Sequence, residues 1–237
     1  MTETARHSNA SVEHDADRTE GISFPPSAEI RAIVFDLDGT LYVSNEFADA
    51  IQDSAAVYLS GVLGVGEQEA HEAMAATRNR LTKERGVTQT LSAICASLGG
   101  STADMHAFFQ KQLSPESYLA RDSRVVDLLE SLGHRYALYL YTNNNRVLTE
   151  RITALLGIAG CFSKVFSIED TWRAKPDEER LEQILETLGL PPRDVLFVGD
   201  RYEVDLRLPE QKGCPVFLSR SIDRLLALGQ LLDSSGD

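Results

Sequence analysis

A repeated alternation between short apolar runs and longer amphipathic segments is the feature that most constrains the fold of this chain. Each apolar run is nearly continuous and stops at a group of polar residues, which is typical of a strand buried on both faces of a sheet. The predicted strands cover residues 32–35, 136–141, 164–168, 195–198 and 216–218.

The segments between these runs carry apolar residues at helical spacing, and most of them end at a glycine, as amphipathic helices do. They predict helices over residues 123–132, 147–156 and 179–188, and Ser221 is a candidate N-cap for a last helix through Leu232. This alternation favours an α/β fold in which a parallel sheet has helices on both faces. Ligands of such folds bind beyond the carboxyl ends of the strands, where the polar groups of this chain are found.

One long segment interrupts the alternation. Between about residues 44 and 115 there is no buried-strand run, and helical patterns cover residues 46–62, 67–85, 88–98 and 102–113. We therefore expect a small helical cap at 44–115, inserted after the first strand and placed like a lid over the strand ends. The α/β core is expected to comprise residues 29–43 and 116–237.

Charge and composition exclude several classes of partner. The formal net charge is −13, so the chain has no bulk attraction for nucleic acid or an anionic membrane surface, and neither is expected as a partner. No apolar run approaches the ~20 residues that a membrane helix needs. Residues 1–28 are expected to be a flexible acidic tail and lead-in, without the apolar core of a secretory signal. Three widely separated cysteines favour a reducing compartment, so a cytoplasmic location is expected.

Asp36 and Asp38 follow the first predicted strand, in the sequence Asp-Leu-Asp-Gly-Thr. Alternate residues of an extended segment point to the same side, so two carboxyl groups can face one small volume. Such a pair could supply a nucleophile with a neighbouring acid/base, or it could hold Mg²⁺. A surface turn has the same composition, and this motif alone leaves that alternative open.

Three further polar groups follow other predicted strands. Thr142 and Asn143 stand at a strand end ahead of a helix whose free N–H groups would attract an anion, although a polar turn has the same residues. Lys175, taken alone, is most simply a solvated lysine. Asp200 follows a buried run directly and could complete a Mg²⁺ site, with Asp205 as a further ligand or an orienting acid.

The order of these four motifs resembles the haloacid dehalogenase-like (HAD) superfamily of hydrolases over about residues 31–218: DxDGT, a strand-end threonine, Lys-Pro and GDxxxxD. The resemblance implies a Rossmann-like core. It also implies a helical cap of the kind found in phosphoglycolate phosphatase-like and nucleotidase-like members.

The same resemblance assigns roles to individual residues. Asp36 matches the nucleophile that forms an aspartyl-phosphate, and Asp38 matches the acid/base that protonates the leaving oxygen and then activates water. Thr142, with the backbone N–H of Asn143, matches the group that binds the transferring phosphoryl. Lys175 matches the cation that neutralises the nucleophile and the phosphate oxygens.

The resemblance also implies Mg²⁺ as the cofactor. Its expected ligands are Asp36, Asp200 and the backbone carbonyl of Asp38, with Asp205 as a supporting acid outside the ligand set. A phosphate dianion facing these acids would be repelled, so the metal and the lysine are needed to balance the charge of the site.

The function implied is that of a phosphomonoester hydrolase acting on a sugar phosphate, phosphoglycolate or a nucleoside monophosphate, as a monomer or homodimer. Asp38 favours phosphorus over the carbon chemistry of dehalogenases. Lys83 would be the lid lysine of a phosphonate-cleaving relative, but its arginine-rich helix favours a solvated basic face, with phosphate attraction as the alternative. A phosphosugar mutase, or a catalytically idle relative that binds phosphate or a protein, stays open.

Overall fold

Six strands form one sheet in the computed structural model, which describes residues 22–23 and 29–234 of the chain. The strands are β1 (Ile22–Ser23), β2 (Ala32–Phe35), β3 (Ala137–Tyr141), β4 (Lys164–Phe166), β5 (Val195–Gly199) and β6 (Val216–Leu218). Their order is β1-β6-β5-β2-β3-β4, in which β2 to β6 are parallel and β1 is antiparallel to β6.

The helices alternate with the parallel strands as predicted, and the α/β fold is confirmed. The α-helices of the described residues are α1 (Asn45–Leu63), α2 (Glu67–Arg85), α3 (Leu91–Ser97), α4 (Thr102–Gln112), α5 (Ser123–Gly133), α6 (Arg146–Leu156), α7 (Glu178–Leu188), α8 (Arg207–Gln211) and α9 (Ile222–Ser234). Ser221 accepts a hydrogen bond from the backbone N–H of Arg224 at 3.2 Å, which is the N-cap contact expected for the last helix.

Two parts of the structure differ from the sequence prediction. The strand β1 lies in the predicted lead-in, where a two-residue edge strand is too short to show periodicity. Residues 1–21 and 24–28 of the predicted tail and lead-in lie outside the described residues. After β5 the chain forms a π-helix, Tyr202–Leu206, which continues into α8 and was not predicted.

The two faces of the sheet bury different residues. Successive side chains of a strand point to opposite faces. Ile33 and Phe35 of β2 therefore join one apolar cluster, which also contains residues of α5, α6 and α9, while Ala32 and Val34 join a second cluster with residues of α7. This double burial explains the continuous apolar run of β2.

The helical insertion after β2 packs on itself and on one face of the core. Helix α1 contacts α2, α3 and α4, and α4 contacts α6 of the core. Phe47 of α1, Ile94 of α3 and Met105 of α4 are buried in the same apolar cluster as Phe35. The insertion is thus held to the sheet by shared apolar burial, which stabilises it by the hydrophobic effect.

The sheet order brings the carboxyl ends of the central strands to one level. Phe35 at the end of β2 pairs with Leu140 of β3 on one side and with Val198 of β5 on the other. The residues that follow these strands therefore emerge side by side. The chain adds β3 and β4 on one side of β2 and then β5 and β6 on the other. Such a change of direction in the strand order marks the position where open α/β sheets bind ligands.

Among the described residues, none of the helices combines the length and the apolar content that a membrane crossing requires. Cys95 and Cys214 are buried, Cys161 is half-buried, and all three are free thiols.

Asn145 provides a test of how α6 is started. Its side chain is fully buried, and its Oδ1 accepts from the backbone N–H of Leu148 at 2.8 Å. Asn145→Ala should lower the free energy of unfolding by about 1 kcal/mol or more, because the N-cap contact is lost. Asn145→Ser keeps a capping oxygen and should retain most of this stability. Urea unfolding of both variants measures the difference, and equal losses would contradict the capping role.

Candidate active site

Lys175 is buried between two carboxylates beyond the ends of the central strands. Its Nζ lies 2.6 Å from Oδ1 of Asp36, which follows β2, and 2.6 Å from Oδ1 of Asp205, in the π-helix after β5. It also donates to the carbonyl oxygen of Tyr141 in β3, at 3.0 Å. The side chains of Lys175, Asp36 and Asp205 are each no more than 4% exposed. Lys175 is therefore an interior cation with three partners, rather than a solvated lysine.

Burial and crowding of acids shift the pKa values of this group. Burial raises the pKa of Asp36 to about 7, against the lowering effect of Lys175 and with further raising by Asp205, Asp200 and Asp38. Burial would lower the pKa of Lys175, but Asp205 and Asp36 raise it above its ordinary value.

Asp200 shows the same effect. Burial raises its pKa to about 6, Arg201 acts in the opposite direction, and Asp205 raises it further. Each of these carboxyl groups would ionise more readily beside another positive charge.

Three of these acids form a group that fits a divalent cation. One carboxylate oxygen from each of Asp36, Asp200 and Asp205 lies within 4.8 Å of the others. Oδ1 of Asp200 is buried and has no hydrogen-bond partner among the described residues, with Nε of Arg201 3.6 Å away as its ion-pair partner. A hard cation such as Mg²⁺ prefers oxygen ligands of this kind. The group contains Asp36 and Asp200 of the expected ligands together with Asp205, the expected supporting acid, and the backbone carbonyl of Asp38 stays a predicted ligand.

Asp38 is held in its own hydrogen-bond network. Asn144 Nδ2 donates to both carboxylate oxygens, at 3.0 and 2.8 Å, and the hydroxyl of Tyr42 donates to Oδ1. Thr142 Oγ1 lies 3.5 Å from Oδ2. Burial raises the pKa of Tyr42 well above its ordinary value, and Asp38 adds to this shift, so Tyr42 remains a protonated donor. The carboxyl group of Asp38 is thereby oriented independently of Lys175.

Thr142 and Asn143, which form the second of the four motifs and follow β3, connect the other parts of the site. Thr142 is fully buried, and its Oγ1 accepts from the backbone N–H of Asn144 at 3.1 Å. The side-chain oxygen of Asn143 accepts from the backbone N–H of Lys175 at 2.7 Å. The motif thus positions Lys175 and Asp38, while the predicted contacts of Thr142 and Asn143 with phosphate remain predictions.

A cavity of about 980 Å³ lies between the strand ends and the inserted helices. Its strand-end side is formed by Asp38, Gly39, Asn143, Asn144, Asp200 and Arg201. Asp36, Thr142 and Lys175 are not among its lining residues. They lie behind this surface, with Asp36 only 5% exposed and adjacent to Asp200.

The inserted helices line the opposite side of the cavity with apolar and polar side chains. The apolar ones include Ile51, Leu91, Met105 and Phe109, and the polar ones include Gln52, Arg78, Gln89 and His106. The predicted basic face of α2 is therefore divided. Arg78 reaches the cavity, while Arg80 pairs with Glu84 on the helix surface at 3.1 Å, and Lys83 is not among the lining residues.

Sequence reasoning assigned no role to several of these residues. Thr40 donates to Oδ2 of Asp36 at 3.1 Å, and Tyr42 and Asn144 hold Asp38. All three lie inside or beside the recognised motifs, so their positions in the sequence could have identified them as site residues. Arg78 and His106 carry no such signal, because they reach the cavity only through the packing of α2 and α4.

Comparisons with known proteins agree with the family that the motifs predicted. A family model described as haloacid dehalogenase-like hydrolase matches residues 30–210. A phosphoglycolate phosphatase of Photorhabdus laumondii is 29% identical over 188 residues, which cover 78% of each chain. The pyrophosphatase PpaX of Bacillus velezensis is 26% identical over 175 residues, covering 73% of this chain and 76% of that protein.

Solved structures show the same fold. A 2-haloacid dehalogenase from Pseudomonas syringae has a TM-score of 0.57 and 19% identity, covering 86% of this chain and 99% of that chain. A HAD phosphatase from Thermococcus onnurineus has a TM-score of 0.54 and 20% identity, covering 86% and 98%. At these identities the likeness concerns the fold alone.

Gly39 allows the position of Asp200 to be tested. Its φ is +84°, and a Cβ there would fall 2.5 Å from Oδ2 of Asp200. Gly213 has a φ of +86° and open space around it, so it serves as a matched control. Both changes to alanine should cost about 1 kcal/mol from the left-handed backbone, measured by urea unfolding. Only Gly39→Ala should also weaken Mg²⁺ binding in a calorimetric titration; equal Mg²⁺ affinity in the two variants would show that Gly39 does not position Asp200.

Lys175→Met tests the buried ion pairs. Removing the cation leaves two buried carboxylates uncompensated, so the free energy of unfolding should fall by about 3–5 kcal/mol. Adding Asp205→Asn to this variant should recover part of the loss. Lys212→Met is the control, since Lys212 pairs with Glu178 and Glu182 at the surface and should matter little. Similar losses for the two single lysine variants in urea unfolding would refute the buried role of Lys175.

Proposed function

Because this chain belongs to the haloacid dehalogenase-like hydrolase family, as its motifs predicted, we propose that it is a Mg²⁺-dependent phosphatase. It hydrolyses a small phosphorylated metabolite through an aspartyl-phosphate on Asp36. The observation that carries the proposal is the buried bridge of Lys175 to Asp36, beside Asp200 and immediately behind the cavity. Phosphoryl transfer depends chiefly on positioning and charge neutralisation, and this arrangement provides both.

In the first step, a carboxylate oxygen of Asp36 attacks phosphorus, and the bond from phosphorus to the ester oxygen breaks. Asp38 gives its proton to the departing oxygen. In the second step, Asp38 takes a proton from water, whose oxygen attacks the same phosphorus and releases inorganic phosphate and Asp36. Tyr42 and Asn144 orient the carboxyl group of Asp38, and Asp38 takes no part in the ion pairs of Lys175. This arrangement supports the role of Asp38 as the acid/base.

Lys175 compensates the charge of Asp36 and of the phosphoryl oxygens, and Thr142 and Asn143 complete the phosphate-binding edge. Mg²⁺ would be held by Asp36, Asp200 and the backbone carbonyl of Asp38, with Asp205 close enough to support or join the set. When bound, it would neutralise negative charge on the transferring group and its acidic neighbours.

The relatives named above act, by their names, on phosphoglycolate and pyrophosphate, which are both small. A sugar phosphate, phosphoglycolate or a nucleoside monophosphate is the substrate class we propose. The segment 44–115 would act as a cap that excludes water and large substrates such as phosphoproteins from the cavity. We further propose a cytoplasmic protein, monomeric or homodimeric, with no nucleic-acid or membrane partner.

Asp36→Asn is the decisive variant. It should lower turnover of para-nitrophenyl phosphate and of a metabolite-phosphate panel below detection, because an amide is not a nucleophile towards phosphorus. Mg²⁺-dependent binding of inorganic phosphate, measured by calorimetry, should largely survive. Near-native turnover by this variant would remove the assignment of the nucleophile.

The wild-type chain provides the control. It should turn over at least one phosphate ester with Mg²⁺ and lose this activity with a chelator. No turnover across the panel in the presence of Mg²⁺ would reject the phosphatase itself.

A further inference from the structure

His106, on helix α4, is a buried polar residue that the proposed chemistry does not use. It is 3% exposed and is among the residues that line the cavity on the side of the inserted helices. Neither ring nitrogen has a hydrogen-bond partner among the described residues. Buried polar side chains are nearly always hydrogen-bonded, and one without a partner lowers stability. Its presence beside a cavity therefore points to a partner that arrives with the substrate.

The ring is uncharged under ordinary conditions. Burial lowers the pKa of His106 to about 4, so the neutral imidazole is present near pH 7. A neutral imidazole offers one N–H donor and one acceptor nitrogen. It therefore complements a group that can both accept and donate, such as a hydroxyl or an amide.

The position of His106 is fixed with respect to the strand ends. Its backbone carbonyl accepts from Nδ2 of Asn145, which caps α6 directly after the second motif, at 3.3 Å. The ring packs edge-on against Phe109, with centroids 5.4 Å apart, and lies 6.3 Å from the ring of Trp172 in the loop before Lys175. A side chain held in this way can select among substrates, because its hydrogen-bonding atoms cannot move far to suit a different one.

We propose that His106 is a specificity-determining residue that hydrogen-bonds to a hydroxyl or amide on the leaving group of the substrate. This inference rests on the proposed phosphatase function, in which the phosphoryl group lies at the strand ends and the leaving group extends towards the cap. A carboxylate on the leaving group could accept from the ring N–H of His106 but would leave its acceptor nitrogen without a donor. His106 therefore favours phosphate esters of hydroxylated compounds, such as sugars and nucleosides, over phosphoglycolate, whereas Arg78, which lines the same cavity, suits an anionic group.

The test compares esters with and without polar groups on the leaving group. The probes are ribose 5-phosphate, glucose 6-phosphate, nucleoside 5′-monophosphates, 2-phosphoglycolate and phenyl phosphate. His106→Phe keeps the packing on Phe109 and Trp172 but removes both nitrogens. For the hydroxylated ester that the wild type uses best, the ratio of its kcat/KM to that of phenyl phosphate should fall roughly tenfold, mainly through KM.

A second variant and a stability measurement separate recognition from folding. His71→Phe makes the same change at a half-buried histidine of α2 that lies 3.3 Å from Asp53, and it should leave the ratio as in wild type. His106→Phe should also unfold at a higher urea concentration than wild type, because a buried unpaired polar group is removed. A purely structural role for His106 would not lower selectivity while stability increases.

Binding can be followed without turnover, because Trp172 is the single tryptophan of the chain and lies beside His106. In the Asp36→Asn background with Mg²⁺, Trp172 emission should report roughly tenfold weaker binding of the hydroxylated esters after His106→Phe. The affinity for inorganic phosphate should change less than twofold.

Equal losses for all ligands, no loss for any, or a wild-type preference for 2-phosphoglycolate or phenyl phosphate over every hydroxylated ester would overturn the role of His106. Selective weakening in the binding experiment without wild-type turnover would reject the phosphatase and retain the role of His106 in ligand recognition.

Discussion

The rest of the candidate site depends on the buried contacts of Lys175. One ammonium group joins Asp36, Asp205 and the carbonyl of Tyr141, and so ties together residues at the ends of β2, β5 and β3. Charges are costly in an interior unless they are paired and hydrogen-bonded, and Lys175 meets both conditions. Lys175 pairs with two acids, and a third, Asp200, lies beside them with its Oδ1 3.6 Å from Nε of Arg201. The proposed Mg²⁺ would neutralise part of the negative charge that these acids bring to the site.

The order of the strands makes this contact possible. β2 lies between β3 and β5, and the register sets the last residues of the three strands at one level. Asp38 and Thr142, 104 positions apart in the sequence, meet there at 3.5 Å. Helix α4 then brings His106 over the same region, held by Asn145 directly after the second motif. The sheet and the inserted helices thus form the two sides of one cavity.

Local patterns in the sequence predicted most of the fold. The five parallel strands and the helices between them were predictable because apolar spacing reflects burial on one or both faces of a single element. The strand β1 was not, since it is only two residues long and gains its structure by pairing with β6, as in Ile22 with Phe217. The π-helix after β5 was also missed. It spans only five residues and has no period of its own in the sequence.

The sequence by itself determined the α/β class, the family and the kind of chemistry, because acids, a threonine and a lysine follow successive buried runs in a distinctive order. The tertiary structure decided which of these residues contact one another. Asp205 joins Lys175 and the acidic group, whereas Asp38 is held apart by Tyr42 and Asn144. The sequence likewise did not decide which residues of the inserted helices, such as Arg78 and His106, line the cavity. Helical periodicity tells which face of a helix is buried, but not which distant residues that face will meet.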